Sequence, residues 1–279
     1  GIYEVIDKFS SPVSNTSFFR RDFVTAINGK IYAFGSQTSH WIYDIAANSW
    51  SSVPHNSTAD EPGSFNPGEM SVTSTDTHIY ILNKLDLWSL DVNANNWTQL
   101  ASNPIGHKLS AMVHSDGKLY SWGGRESISN DVHRTLTIYD IASDTWSSVE
   151  LTDIPPAQGS SIAAVNGKIY IMGGQIFGNQ TGRAWSYDIA TGSVTEISTR
   201  GTPFARTQAV VVQGKIYMYG GWATSSTRSE FWEYDPSKDV WKRFLNGPLV
   251  SEQHGSTVYD NNMYVVGGSD NSINLLKIL

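Results

Sequence analysis

Cysteine is absent from the 279 residues, which excludes disulfides, thiolate nucleophiles, cysteine-based zinc sites and thioether crosslinks. Charged residues make up only 16% of the chain, and 26 aspartates and glutamates outnumber 19 lysines and arginines. The net charge of −7 argues against nucleic acid and anionic membrane as partners, because both select clustered positive charge. No apolar run approaches the ~18 residues of a membrane-spanning helix. We therefore predict neither a nucleic-acid nor a membrane partner.

The absence of cysteine does not decide the cellular compartment. Four Asn-x-Ser/Thr sequons are present, at Asn15, Asn56, Asn96 and Asn179, and glycosylation at any of them would place the protein in the secretory pathway. A chain so rich in Asn, Ser and Thr contains about four such tripeptides by chance. Secretion is compatible with the sequence, and the localisation stays unassigned.

Aromatic residues and glycine are plentiful, with 10 Trp, 13 Tyr, 10 Phe and 24 Gly, too many rings for a disordered chain. Internal repetition organises them. Six segments each join two short, alternating apolar runs through a tight polar turn, which is a strong hairpin signature. They are FVTAINGKIYAFGS, MSVTSTDTHIYILNK, SAMVHSDGKLYSWGG, SSIAAVNGKIYIMGG, TQAVVVQGKIYMYGG and HGSTVYDNNMYVVGG.

A second repeated segment follows five of the six hairpins. It carries an aspartate at positions 44, 91, 140, 188 and 235, so the intervals are 47, 49, 48 and 47 residues. Six residues after each aspartate stand Trp50, Trp97, Trp146, Val194 and Trp241. The constant offset predicts a second hairpin of constant geometry in each repeat.

This arrangement of Gly-Gly, Tyr-Asp and Trp resembles the kelch repeat of β-propellers. The resemblance covers essentially the whole chain and implies an all-β fold: a single domain, residues 1–279, forming a six-bladed propeller with four antiparallel strands per blade. The last repeat has only three strands, and the N-terminal IYEVIDKFSSPV aligns with the fourth strand of the fifth repeat, DVWKRFLNGPLV. We therefore predict that the N-terminal strand completes the last blade and closes the ring.

The resemblance also implies a ligand-binding face. In kelch proteins this face is built from the loops before each blade's first strand and the loops after Gly-Gly. Many arginines, most histidines and several aromatic residues fall on these loops. A small-molecule pocket has the same composition, with apolar walls and a few converging hydrogen-bond donors. We predict as catalytic residues Arg21, Glu69, His107, Arg206 and His254. We predict as substrate-binding residues Phe19, Trp41, Gln158, Phe177, Trp222 and Gln253.

No cofactor and no metal is expected at this pocket. There is no Gly-x-Ser-x-Gly elbow, no His-Glu-x-x-His helix and no phosphate-binding glycine loop. The Cys-Tyr crosslink of kelch-type copper oxidases needs a cysteine. Plant specifier proteins, which are also kelch propellers, carry a Glu-x3-Asp-x3-His iron pattern. Glu126, Asp131 and His133 match its residue types but not its spacing.

The first functional hypothesis is a cofactor-free isomerase or cyclase acting on a small organic ligand. His107, His254 and Glu69 would move protons, and Arg21 and Arg206 would hold a carbonyl or carboxylate. Kelch-like propellers include bacterial sialic acid mutarotases. Some stand-alone fungal propellers are similar to natural-product cyclases, including pericyclases of hetero-Diels–Alder type. The same ring of polar groups could instead be a salt-bridged, water-filled plug.

The alternative is a binding module that uses the same face. One version binds a protein or peptide partner, which is the commonest kelch role. Another binds a glycan, with Trp41, Phe177 and Trp222 stacked on sugar rings. The loop after Gly-Gly differs in every repeat, which favours one composite site over six equal ones. The sequence leaves open whether the protein is an enzyme.

Overall fold

The structure is a computed structural model of the chain. It describes, with side chains, residues 24–34, 39–55, 62, 65, 70–106, 108–126, 129, 131–222, 229–247 and 254–267, and the backbone of 3–10 and 272–278. All regular structure in these residues is β-strand, and the all-β prediction is confirmed. Within the same residues there is no helix that is long and apolar enough to cross a membrane.

The described residues form four-stranded antiparallel sheets that follow the repeats. Strand β1 (Tyr3–Ser10) belongs to the last of them. Sheet 1 contains β2 (Val24–Ile27), β3 (Lys30–Phe34), β4 (Ser39–Asp44) and β5 (Ser49–Pro54). Sheet 2 contains β6 (Met70–Ser74), β7 (His78–Asn83), β8 (Asp86–Asp91) and β9 (Asn96–Gln99). Sheet 3 contains β10 (Ala111–Ser115), β11 (Lys118–Trp122), β12 (Thr135–Asp140) and β13 (Thr145–Glu150).

The second half of the chain adds a small ribbon to the same pattern. The ribbon pairs β14 (Ala157–Gln158), β17 (Gln175–Ile176) and β18 (Asn179–Gln180). Sheet 4 contains β15 (Ser161–Val165), β16 (Lys168–Met172), β19 (Ala184–Asp188) and β20 (Val194–Ile197). Sheet 5 contains β21 (Ala209–Val212), β22 (Lys215–Tyr219), β23 (Phe231–Asp235) and β24 (Val240–Arg243). Sheet 6 contains β25 (His254–Tyr259), β26 (Asn262–Gly267), β27 (Ser272–Ile278) and, outermost, β1.

The two hairpins of a sheet have different local causes. In sheets 1, 3, 4, 5 and 6 the first hairpin turns on a pair with positive φ at both residues, such as Asn28 at 52° and Gly29 at 75°. Two such residues form the turn type whose twist matches paired strands. The second hairpin turns on the repeated aspartate: Asp140 Oδ1 accepts the N–H groups of Ala142 and Ser143 at 3.0 and 3.1 Å. A short acceptor side chain thus caps the turn.

Sheet 2 has no Gly-Gly pair, and it also has no long loop between its second and third strands of the kind that follows Gly-Gly in sheets 3, 4 and 5. Asn83 pairs with Asp86, so only two residues join β7 to β8. The first of them, Lys84, has a φ of 60°. In the other described cases the glycine pair admits a crossing loop: a Cβ atom on Gly124 would lie 2.5 Å from the carbonyl oxygen of Lys108.

The apolar core lies between neighbouring sheets. Six buried clusters are each shared by two sheets, and together they cover the pairs 1–2, 2–3, 3–4, 4–5, 5–6 and 6–1. The first strand of each sheet contacts the first strand of the next, and β25 of sheet 6 contacts β2 of sheet 1. The outer strand β1 pairs antiparallel along β27, from Tyr3 opposite Ile278 to Ser10 opposite Ser272.

Candidate functional site

Antiparallel order gives every sheet two distinct edges. The residues just before the first strand and the connection between the second and third strands lie at one edge, which we call the loop face. Its described parts are residues 65, 84–85, 104–106, 108–110, 123–126, 129, 131–134, 155–160, 173–183, 203–208, 220–222 and 229–230. The turns between strands one and two and between three and four lie at the opposite edge, the turn face.

On the loop face, the two connections of sheets 3, 4 and 5 are joined by backbone hydrogen bonds at one equivalent position. Lys108 and Arg125 exchange N–H···O bonds of 2.8 Å in sheet 3. The corresponding pair beside sheet 4 is Gln158 and Gln175, and in sheet 5 Ala205 and Trp222 exchange bonds of 3.0 and 2.8 Å. In these three sheets, the residue directly after Gly-Gly is therefore fixed next to the segment that leads into the first strand.

A second repeated position links neighbouring sheets. Leu109, Gly159 and Arg206 each stand nine residues before the lysine of their first hairpin, and all have φ between 57° and 66°. The Gly159 N–H donates to the Leu109 carbonyl, and the Arg206 N–H donates to the Gly159 carbonyl, both at 2.8 Å. Arg21, Glu69 and Gln253 stand at the same nine-residue offset in the sequence and lie outside the described residues.

The structure brings together two of the predicted site residues in sheet 5. The Arg206 guanidinium lies over the Trp222 ring, 4.7 Å from its centroid, a cation–π contact. The predicted substrate-binding residue Gln158 is buried and contacts Arg125 instead, whose Nε donates to Gln158 Oε1 at 2.8 Å. The Gln158 amide nitrogen donates in turn to Gln175 Oε1 at 3.4 Å. Arg125 and Gln175 were missed as site residues, and the signal was their position directly after Gly-Gly.

Two predicted loop residues lie in strands. The expectation that Trp41 stands on a loop is wrong: it lies inside β4, opposite Ala33 and Ser52, and packs on the cluster shared by sheets 1 and 6. His254 is the first residue of β25, has no exposed surface, and meets the Tyr219 ring edge-on at 5.5 Å. Burial lowers the pKa of His254 to about 4, although a hydrogen bond to the Tyr219 backbone acts in the opposite direction and raises it. The imidazole is neutral at pH 7 and enclosed.

Of the remaining predicted residues, one has an exposed side chain and the others lie outside the described residues. Phe177 stands at the tip of the β17–β18 hairpin with 86% of its surface exposed. The others, which keep their predicted roles as predictions, lie outside the described residues: Phe19, Arg21, Glu69, His107 and Gln253. Among the residues that are described, no three His, Asp or Glu side chains cluster as metal ligands would.

The first strands of all six sheets line a cavity of about 320 Å³. Neighbouring sheets exchange hydrogen bonds along its wall: Thr25 and Ser74 hydroxyls lie 2.6 Å apart, and the His114 N–H donates to Thr73 Oγ1 at 3.1 Å. The lining is otherwise hydroxyl, amide and aliphatic. Such a wall can hold neutral polar molecules, and His114, whose pKa burial lowers, is the one titratable side chain in the described lining.

The wider comparison with known proteins agrees with this geometry. Residues 80–268 match the family model described as the KLHDC2/KLHL20/DRC7 Kelch-repeats domain. The chain belongs to the kelch-repeat family. It is 27% identical to Kelch-like protein 35 of Mus musculus over 193 residues, which are 68% of this chain and 32% of that protein.

Shorter matches connect the kelch chain to two further relatives. It is 33% identical to Kelch repeat and BTB domain-containing protein 8 of Xenopus tropicalis over 97 residues, 33% of this chain and 15% of that protein. It is 28% identical to Ras guanine nucleotide exchange factor F of Dictyostelium discoideum over 95 residues, 32% of this chain and 8% of that protein. The kelch chain thus spans a third or less of the length of these curated relatives. The resemblance of its repeats to the kelch family is confirmed.

Proposed function

We propose that this kelch domain is a protein-interaction module and that its loop face carries the binding surface. The observation behind the proposal is that corresponding loop-face positions hold different side chains in one fixed backbone frame, namely Arg125, Gln175 and Trp222. Arginine and tryptophan are the residue types that dominate interface energies. Kelch domains most often bind proteins, so the family membership supports the same conclusion.

We also propose that the sheets are the six blades of one domain, residues 1–279, closed into a ring by β1. Three observations support closure: the cluster shared by sheets 6 and 1, the contact of β25 with β2, and the pairing of β1 with β27. A ring gathers the loop faces of all blades around the mouth of the central cavity. One composite surface then follows from six unequal loops.

A cofactor-free isomerase or cyclase that binds a small organic ligand is the second candidate. It is favoured by the 320 Å³ cavity and by the Arg206–Trp222 pair at the loop-face end of β21. The enclosure of His254 argues against its predicted part in proton transfer at this face. The interaction module therefore explains more of the described loop face than the catalytic hypothesis does. A glycan-binding role has less support, because Trp41 lies within a strand.

An affinity experiment with matched variants tests the proposal. The wild-type domain, a loop-face variant Arg125→Ala/Trp222→Ala and a turn-face variant Lys118→Ala/Lys238→Ala are immobilised, and proteins retained from an extract of the source cells are quantified by mass spectrometry. We expect specific proteins on the wild type and on the turn-face variant that the loop-face variant loses. Equal retention by all three would contradict the proposal. Conversion of a small molecule in the same extract by the wild type alone would favour the enzyme.

A further inference from the structure

Phe177 is the most exposed large apolar side chain of the described residues, at 86%. It is the first of the two residues that join β17 to β18, since Ile176 pairs directly with Asn179. Burial of an aromatic ring is among the largest apolar contributions to folding. Because the Phe177 ring is exposed, it contributes almost no such burial energy to the stability of the fold.

The backbone at Phe177 also opposes folding. Its φ is 48° and that of Gly178 is 83°, the left-handed region that bulky residues avoid because Cβ approaches the backbone. The first-hairpin turns place Asn28, Asp116, Asn166 and Gln213 in the same conformation, and amide or acidic residues suit it. Phe177 therefore departs from the amide and acidic residues of these four first-hairpin turns.

The hairpin that carries Phe177 is held in place from below. Its Gln175 amide nitrogen donates to the Gly178 carbonyl at 3.4 Å, and Gln158 and Arg125 continue the hydrogen-bond chain into sheet 3. Gln158 and Gln175 are each only 8% exposed. The ring is thus presented on a preorganised support, which lowers the entropy that binding must overcome.

The shape of this feature selects one kind of occupant. A small molecule needs a concave site that covers most of its surface, and a projecting ring supplies none. A lipid surface calls for cationic residues beside the apolar ones, but segment 175–180 is uncharged and the chain carries −7. A concave apolar surface on another protein fits a projecting ring in an uncharged segment. Exposed Asn179 beside the ring supplies neutral hydrogen-bonding groups for its rim.

We propose that Phe177 is the anchor of the loop-face interface and inserts into an apolar cavity, of phenyl width and rimmed by hydrogen-bonding groups, on a folded partner protein of a different sequence. The proposal rests on the interaction function proposed above. It adds the anchoring residue and the chemistry of the surface that receives it.

Stability measurements test the premise that the ring does not serve the fold. Thermal unfolding of Phe177→Asn should show a midpoint equal to or above that of the wild type, because Asn suits the left-handed turn. The matched control Asn166→Phe puts the same ring into the equivalent turn before Gly167, whose φ is 73°, and should lower the midpoint. A fall of several degrees in Phe177→Asn would overturn the proposal.

Photocrosslinking tests the interface itself. Benzoylphenylalanine is placed at 177, at loop-face position 126 and at turn-face position 240, and each protein is irradiated in an extract of the source cells. From position 177 we expect an adduct with a partner whose crosslinked peptide lines an apolar cavity. Excess unlabelled wild-type protein should reduce its yield at least tenfold, and Phe177→Ala should not.

The other outcomes separate the two proposals. Adducts from 126 but none from 177, or equal competition by Phe177→Ala, would overturn the anchor and leave the interaction module standing. An adduct with a second copy of this chain or with lipid would also overturn it. Adducts from neither 126 nor 177 above the yield at 240 would overturn both.

Discussion

The turn face and the loop face differ in how far their side chains repeat from sheet to sheet. On the turn face, sheets 3 and 5 repeat one inter-sheet clamp. In sheet 3, Asp144 Oδ1 accepts the Tyr139 hydroxyl at 2.7 Å and the Ala101 N–H at 2.8 Å, while the Trp146 indole donates to the Ala101 carbonyl at 2.7 Å. A carboxylate, a phenol and an indole thereby fasten the sheet to residues that follow sheet 2.

Sheet 5 builds the same clamp on residues that follow sheet 4. Asp239 Oδ1 accepts the Tyr234 hydroxyl at 2.8 Å and the Ser198 N–H at 2.9 Å, and the Trp241 indole donates to the Ser198 carbonyl at 2.8 Å. On the described part of the loop face, by contrast, the equivalent positions hold the different side chains Arg125, Gln175 and Trp222. Side chains that recur specify how sheets join, and side chains that differ are free to specify what is bound.

Loss of β1 should have the largest effect on the stability of the fold. Deleting residues 1–12 leaves β27 with an unpaired edge, and the loss of a strand removes several kcal/mol from a marginal total. The unfolding midpoint should fall by about 10 °C or more, since 1 kcal/mol shifts a chain of this size by about 2–4 °C. Scanning calorimetry of the truncated chain measures the change. An unchanged midpoint would contradict ring closure.

Mild acid should weaken the loop-face edge before the turn face. Burial lowers the pKa of His254 to about 4, and burial together with His55 lowers that of His40 to about 3. Both folded pKa values lie below the unfolded value, so protons bind the unfolded chain first, and stability falls as the pH drops from about 6.5 towards 4. Between pH 7 and pH 5 each histidine should remove up to about 2 kcal/mol.

Denaturant unfolding at several pH values measures this loss. The variant His254→Leu should flatten the slope between pH 7 and pH 5 by about one bound proton. Identical slopes in the wild type and His254→Leu would mean that His254 is not a buried neutral imidazole.

Cutting one clamp should cost less. Asp239→Ala leaves the Tyr234 hydroxyl and the Ser198 N–H without their acceptor, which costs about 1–3 kcal/mol. Asp239→Asn keeps an acceptor oxygen and should recover most of the loss. The urea midpoint reports both values. If Asp239→Ala matched the wild type, the clamp would be a by-product of the turn rather than a fastening between sheets.

The Asp239 clamp also has its own pH window. Burial raises the pKa of Asp239, but hydrogen bonds from Ser198 and Tyr234 outweigh it and leave the pKa below its usual value. A depressed carboxyl pKa contributes stability above the unfolded value, near 4, that is lost as the pH falls through the folded one. The difference in unfolding free energy between the wild type and Asp239→Asn should therefore shrink below about pH 4.

Changes at the loop face should have the smallest effect on stability. Arg206→Ala removes a cation–π contact over Trp222 and should cost no more than about 1 kcal/mol of folding free energy. Its effect on binding should be larger, with a loss of tenfold or more if Arg206 is an interface residue. Arg206→Lys keeps the charge but loses the planar stacking, so its binding affinity should lie between those of the wild type and Arg206→Ala. A large loss of stability without loss of binding would support the plug of polar groups.

Signals that lie within one turn of chain were predicted correctly from the sequence. Asn28-Gly29 marks a first hairpin and Asp140 caps a second, because each acts on a backbone a few residues away. Trp41 was misplaced since β4 begins at Ser39, and the residues after Gly35 carry no turn signal that would show how short this loop is. The enclosure of His254 depends on Tyr219, 35 residues earlier, and no local pattern reveals it.

The sequence by itself determined the strand periodicity, the number of repeats and the family, because these rest on interactions repeated at a fixed spacing. The tertiary structure alone decided which loop residues meet. Arg125 reaches Gln158, and Arg206 lies over Trp222, because sheet packing fixes where separate loops come to lie. It also decided that Phe177 stands exposed at a turn that suits asparagine. The exposure of a side chain depends on which residues the fold packs around it, so the residue type alone does not determine it.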